Sequence, residues 1–134
     1  MFQLTDQVAI VTGSSRGIGR AIAEAMAGAG ARVVVSSRKP AACESVVESI
    51  RAAGGEAIAV PCNMAERPQL EALAGAAIAK WGRLDILVCN AAVNPYFGPM
   101  ARMPDDAYER IMNTNVRSNF WLCNLAASRM AERG

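Results

Sequence analysis

The chain has 134 residues, 52% hydrophobic and 19% charged, with 14 basic and 12 acidic side chains and a formal charge of +2. That length suits a single domain, residues 1–134, with one substantial core, and the balance argues against disorder. So small a charge gives no electrostatic case for nucleic acid or an anionic membrane, and a chain without histidine has neither a Cys/His zinc site nor a histidine general base.

In chain order, Val8 to Val11 is an unbroken apolar run, as expected of a strand covered on both faces in a parallel sheet. Thr12 ends it. Gly13, Gly17 and Gly19 follow at G-x-x-x-G-x-G spacing, ahead of an Ala-rich helix from Arg20 to Ala29 that Gly30 closes. Glycines placed so let the chain turn tightly, approach a pyrophosphate closely and seat the helix on the strand. The free N–H groups of a helix starting near Ile18 then face the phosphates.

Arg32 to Ser37 is the second strand, rich in β-branched residues. A dinucleotide site that binds a ribose 2′-OH places an acidic residue at about this point; here stand Ser37, Arg38 and Lys39. A hydroxyl and two cations suit a 2′-phosphate, which favours NADPH over NADH, although a solvated pair of loop cations is the alternative reading. Pro40 opens a helix with Ala42, Cys43, Val46, Val47 and Ile50 on one face, stopped by Gly54-Gly55. Ala57 to Val60 is the third strand. Cys62, Asn63 and Met64 follow at its carboxyl end, where open α/β sheets bind ligands.

Pro68 opens the next helix, with Leu70, Leu73, Ala74, Ala77, Ile78 and Trp81 aligned for core packing. Leu84 to Cys89 is the fourth strand, and its Asp85 needs hydrogen-bond partners if buried. Asn90-Ala91-Ala92 follows it. The breakers Pro95, Gly98, Pro99 and Pro104 make 93–104 a loop, in which Tyr96 and Phe97 either line a substrate mouth or cap the core. Asp105 to Arg133 reads as one long helix, apolar at Tyr108, Ile111, Met112, Val116, Phe120, Leu122, Leu125 and Met130. The four cysteines, Cys43, Cys62, Cys89 and Cys123, are widely spaced. Three of them lie in apolar segments and read as small core residues in a reducing compartment. With no basic leader and no apolar run approaching about 18 residues, a soluble, cytoplasmic protein is expected.

Thr12-Gly13-Ser14-Ser15-Arg16-Gly17-Ile18-Gly19, together with Asn90-Ala91-Ala92, resembles the short-chain dehydrogenase/reductase family, and the resemblance runs the length of the chain. Ser36-Ser37-Arg38-Lys39 and Asn90-Ala91-Ala92-Val93-Asn94-Pro95 look most like its NADPH-dependent carbonyl reductase branch, which also acts on retinoids. The resemblance implies a Rossmann-type parallel sheet of order 3-2-1-4 with helices on both faces. It matches only the amino-terminal half of such an enzyme, a truncated fold that ends in the long helix.

The candidate cofactor-binding set is Gly13, Ser15, Arg16, Gly17, Ile18, Gly19, Ser37, Arg38, Lys39, Asn63, Met64, Asn90, Ala91 and Ala92. The resemblance gives Arg16 a second contact to the ribose phosphate. It sets Asn63 where the family has an Asp that meets adenine, and an Asn chosen for a turn is the alternative there. It has Asp85 support the adenine pocket through the backbone, so Asp85 is read as structural, and it makes Asn115 the one catalytic residue. The family's Ser and Tyr-x-x-x-Lys do not occur: Tyr96 and Tyr108 have Met100 and Met112 four residues on. The expectation is the NADP(H)-binding part of an oxidoreductase acting on carbonyls or secondary alcohols, inactive alone. A non-catalytic nucleotide-binding or oligomerising module is the alternative. The long helix and the open edge of strand four imply a homo-oligomer.

Overall fold

A computed structural model describes residues 2–132. Four parallel strands stand in the order β3-β2-β1-β4, namely β1 (Val8–Thr12), β2 (Arg32–Ser36), β3 (Glu56–Ala59) and β4 (Ile86–Val88). Registers Ile10↔Val34 and Ile10↔Leu87 place β1 at the centre. Both faces of the sheet are covered, which is why its strands are apolar without alternation. Val8, Ile10 and Val34 pack into one cluster with Leu70, Leu73 and Leu122; Val11, Val33 and Val35 pack into the other with Ala23, Val46 and Val47.

The helices follow from the local sequence. α1 (Gly17–Gly28) and α2 (Pro40–Ala52) supply the second cluster. α2 and α3 (Arg67–Trp81) each carry proline in the first turn, where its missing N–H costs nothing. α3 buries Leu70, Leu73, Ala74 and Ala77 against the first cluster.

Strand β4 is shorter than the expected 84–89, and side chains join the pairing at both ends. At its start, Asp85 Oδ2 accepts the Val8 N–H at 2.9 Å while Arg83 donates twice to the same carboxylate, both at 2.7 Å. At its end, the N–H groups of Asn90 and Ala91 turn to the Thr12 hydroxyl, each at 3.0 Å. Asp85 therefore clamps the amino end of β1 and β4. That is the structural role expected of it.

The expected long helix is three segments: α4 (Asp105–Ile111), a π-helical stretch Met112–Ser118, and α5 (Asn119–Ala131). Its expected end at Arg133 lies outside the described residues. Side chains fold back onto its backbone: Ser118 Oγ lies 2.8 Å from the Asn113 carbonyl and Asn119 Nδ2 donates to the Asn115 carbonyl at 2.9 Å. The face turned inward is Ala107, Thr114, Ser118, Leu122 and Ala126, so mostly small side chains let the helix approach the sheet. Tyr108, Met112, Val116 and Phe120, apolar by pattern, lie on the exposed side. Among the cysteines only Cys43 and Cys62 are buried, which corrects the expectation of three in the core; Cys89 and Cys123 are exposed. No described helix is long and apolar enough to cross a membrane.

Candidate functional site

A cavity of about 1070 Å³ opens along the carboxyl ends of the strands. It begins at the β1–α1 turn. Gly13 has φ +63°, and a Cβ there would lie 2.9 Å from the Ala91 Cα, so the position requires glycine both for its conformation and for room. Gly17, at φ +58°, lines the cavity and has open space where its Cβ would be. Gly19 faces inward, where a Cβ would strike the Gly13 carbonyl and the Asn90 side chain. Gly19 and Ile18, both expected as cofactor contacts, do not line the cavity, and Ile18 points out at 75% exposure. α1 has no side-chain cap and no acidic residue in its first turn, leaving its positive end free to meet an anion.

Hydroxyls hold this turn in place. Thr12 Oγ1 accepts from the N–H groups of Asn90 and Ala91, and Asn90 Nδ2 donates to the Gly13 carbonyl at 3.1 Å. Ser14, buried, donates to the Val11 carbonyl at 2.7 Å and accepts the Ser36 N–H at 3.0 Å, tying the loop to the end of β2. Neither Thr12 nor Ser14 stands out in the sequence as a site residue. A hydroxyl on each side of the first glycine was the available signal.

The cations gather as expected. Arg16, Arg38 and Lys39 line the cavity and are exposed, and no ion pair to them occurs among the described residues. Ser15 and Ser37 line it too; Ser37 Oγ accepts the Lys39 N–H at 3.2 Å and shapes the turn that presents both cations. Cys62 lies in the wall, and burial pushes its thiol up to about 11, so it adds no negative charge near neutral pH.

Asn63 and Met64 line the cavity in a different way from that expected. The Asn63 side-chain oxygen, expected to meet adenine, accepts the Ala65 N–H at 3.0 Å in a turn, which leaves its amide N–H groups as donors. Met64 is buried in the core, and its carbonyl accepts from the Ser118 hydroxyl, so its backbone is engaged within the fold. Asn90, Ala91 and Ala92 form the wall below the turn. The far wall was missed: Asp106, Glu109, Arg110, Asn113, Thr114 and Arg117 line it from α4 and the π-helical stretch. The signal lay in their helical spacing, with recurrences three and four residues apart on one face.

Asn115 does not line the cavity. Its Nδ2 donates to the Val93 carbonyl at 2.9 Å and its Oδ1 accepts the Val93 N–H at 2.8 Å, so its side chain fixes the segment that follows Ala92.

This cradle and sheet define a class. The short chain dehydrogenase family model matches residues 7–134, and the chain belongs to that family. Among relatives, Dehydrogenase/reductase SDR family member 4 of Bos taurus is 37% identical over 131 residues, covering 98% of this chain and 47% of the relative. L-rhamnose 1-dehydrogenase (NAD(P)(+)) of Azotobacter vinelandii is 42% identical over 135 residues, covering 98% and 52%. Among solved structures, a 7α-hydroxysteroid dehydrogenase complexed with NADH and 7-oxo glycochenodeoxycholic acid superposes with TM-score 0.93 at 41% identity, over 98% of this chain and 51% of that one. A metagenomic short-chain oxidoreductase in complex with NADP gives 0.90 at 36%, over 96% and 58%. The chain spans about half the length of these relatives.

Proposed function

We infer that the chain is the NADP(H)-binding portion of an oxidoreductase that moves hydride between nicotinamide and a small carbonyl or secondary alcohol. The observation that carries the reading is the cavity at the strand ends, lined by the open Gly17 backbone and by Arg16, Arg38 and Lys39 without ion-pair partners among the described residues. Relatives holding NADH and NADP support a nicotinamide dinucleotide as the ligand.

The bound nicotinamide is what supplies or accepts the hydride. Gly13 and Gly17 keep the turn clear of side chains, and the first N–H groups of α1 bind the pyrophosphate. Arg38 offers a planar fork of donors and Lys39 a point charge to a 2′-phosphate, with Arg16 alongside, which sets the preference for NADPH. Asn90, Ala91 and Ala92 bound the path toward the nicotinamide. Asn115 acts as a positioning residue through Val93 rather than by touching substrate.

A proton donor beside the carbonyl is required, and residues 1–134 contain no Tyr-x-x-x-Lys to provide it. These residues by themselves bind nucleotide with little or no turnover. Cytoplasmic residence and a homo-oligomeric state belong to the same reading.

Calorimetric titration with NADPH and NADH at two salt concentrations tests it. The expected result is tighter, more salt-sensitive NADPH binding, with Arg38→Glu reducing NADPH affinity at least tenfold while sparing NADH. Equal affinities for both nucleotides, unchanged by Arg38→Glu, would remove the case for NADPH. Binding of neither would remove the functional reading.

A further inference from the structure

Nothing in their spacing brings Cys89 and Cys123 together, yet their sulfurs lie 3.8 Å apart across 34 residues of chain. Strand alternation explains the meeting. Leu87 packs into the cluster with α3 and α5 and Val88 into the opposite one, so the next residue, Cys89, again faces α5. Cys123 follows Leu122, which is fully buried in that same cluster, and it sits at the exposed rim of α5. Both cysteines are exposed, whereas Cys43 and Cys62 are buried. Partial burial, then the contact with Cys123, pushes the Cys89 thiol up to about 11.

We propose that Cys89 and Cys123 are a dithiol modification site, closed by exchange with a small-molecule disulfide into an internal disulfide that joins the end of β4 to α5. The sulfurs need to approach by about 1.8 Å to reach bonding distance, a movement within the range of side-chain rotation. In the first step a thiolate of the pair attacks one sulfur of the oxidant, its S–S bond breaks, and one small thiolate leaves. In the second, the other cysteine gives up its proton and attacks the protein sulfur of the mixed disulfide, displacing the second small thiolate. The two protein thiols are oxidised by two electrons, the oxidant is reduced to two thiols, and those thiols take up the two protons.

The position of the bond gives it consequence. Cys89 immediately precedes Asn90, whose backbone N–H and side chain hold Thr12 and Gly13. Oxidation therefore ties the floor of the glycine turn covalently to α5, which continues directly from the π-helical stretch of the far wall.

The experiment exposes the folded chain to glutathione disulfide at mildly alkaline pH and needs no nucleotide. The expected product is lighter than the reduced chain by about 2 Da, has two free thiols in place of the four free cysteines of the reduced chain, and yields joined tryptic peptides 84–102 and 118–129. Dithiothreitol reverses it. Cys89→Ser and Cys123→Ser each retain a stable glutathione adduct on the remaining exposed sulfur, which the unaltered chain resolves. Persistent adducts on the unaltered chain, a bond that includes Cys43 or Cys62, a link between chains, or no reaction would each overturn the proposal. If either variant fails to fold, the peptide map of the unaltered chain decides alone.

Discussion

Gly13 and Gly17 share a left-handed backbone and differ in their surroundings, which separates folding from binding at the scale of single residues. Alanine at either position costs about 1–2 kcal/mol for the conformation alone. At Gly13 the new methyl also meets Ala91 backbone at 2.9 Å. Gly13→Ala is therefore expected to lower both melting temperature and nucleotide affinity. Gly17→Ala is expected to fold with only the conformational loss yet bind dinucleotide at least tenfold more weakly; thermal melts run beside titrations distinguish the two. Cys62 provides a pH test. Its thiol ionises near 9 when exposed and about 11 when folded, so the unfolded chain loses the proton first as pH rises. Stability contributed by this group is complete below pH 9 and falls through pH 11, by up to about 2–3 kcal/mol. Denaturant midpoints followed from pH 8 to 11 should fall less steeply for Cys62→Ala than for the unaltered chain.

The elements that were readable in the sequence are those whose signals are local. The apolar runs of β1 and β2, the prolines opening α2 and α3, and the glycine turn all specify their own geometry. Elsewhere a distant partner decides the outcome. β4 stops at Val88, where the Thr12 hydroxyl, 78 residues from Asn90, captures the next N–H groups. In the π-helical stretch the Ser118 hydroxyl meets the Met64 carbonyl, 54 residues away. Asn63 shows how a side chain can satisfy its own turn and so change the atoms it offers a ligand. Asn115 links two such elements through paired bonds to Val93. Asn115→Ala removes both and is expected to cost about 1–3 kcal/mol. Hydrogen exchange should quicken across residues 90–99 while β1 and β2 stay protected; unchanged exchange in that loop would contradict the positioning role.

Across the whole molecule, two surfaces lack cover among the described residues. The free edge of β4 is one, and the outward stripe of Tyr108, Met112, Val116 and Phe120 is the other, with Phe120 63% exposed. Apolar surface of this kind favours association. Sedimentation is expected to show a dimer or larger species that Val116→Asp with Phe120→Asp shifts toward monomer; a monomer throughout at high concentration would refute it. The two ends of the sheet are built from different materials. Asp85, Arg83 and the pairs of Arg32 with Asp6 and Glu56 gather at the amino ends, whereas glycines, hydroxyls and cations without ion-pair partners among the described residues line the carboxyl ends. If the proposed nucleotide site is right, rigidity and ligand choice reside in residues that do not touch: changes at Arg38 and Lys39 are then expected to retune which nucleotide is held without drawing on the charges that secure the scaffold, leaving the two properties free to vary separately in evolution or in the laboratory.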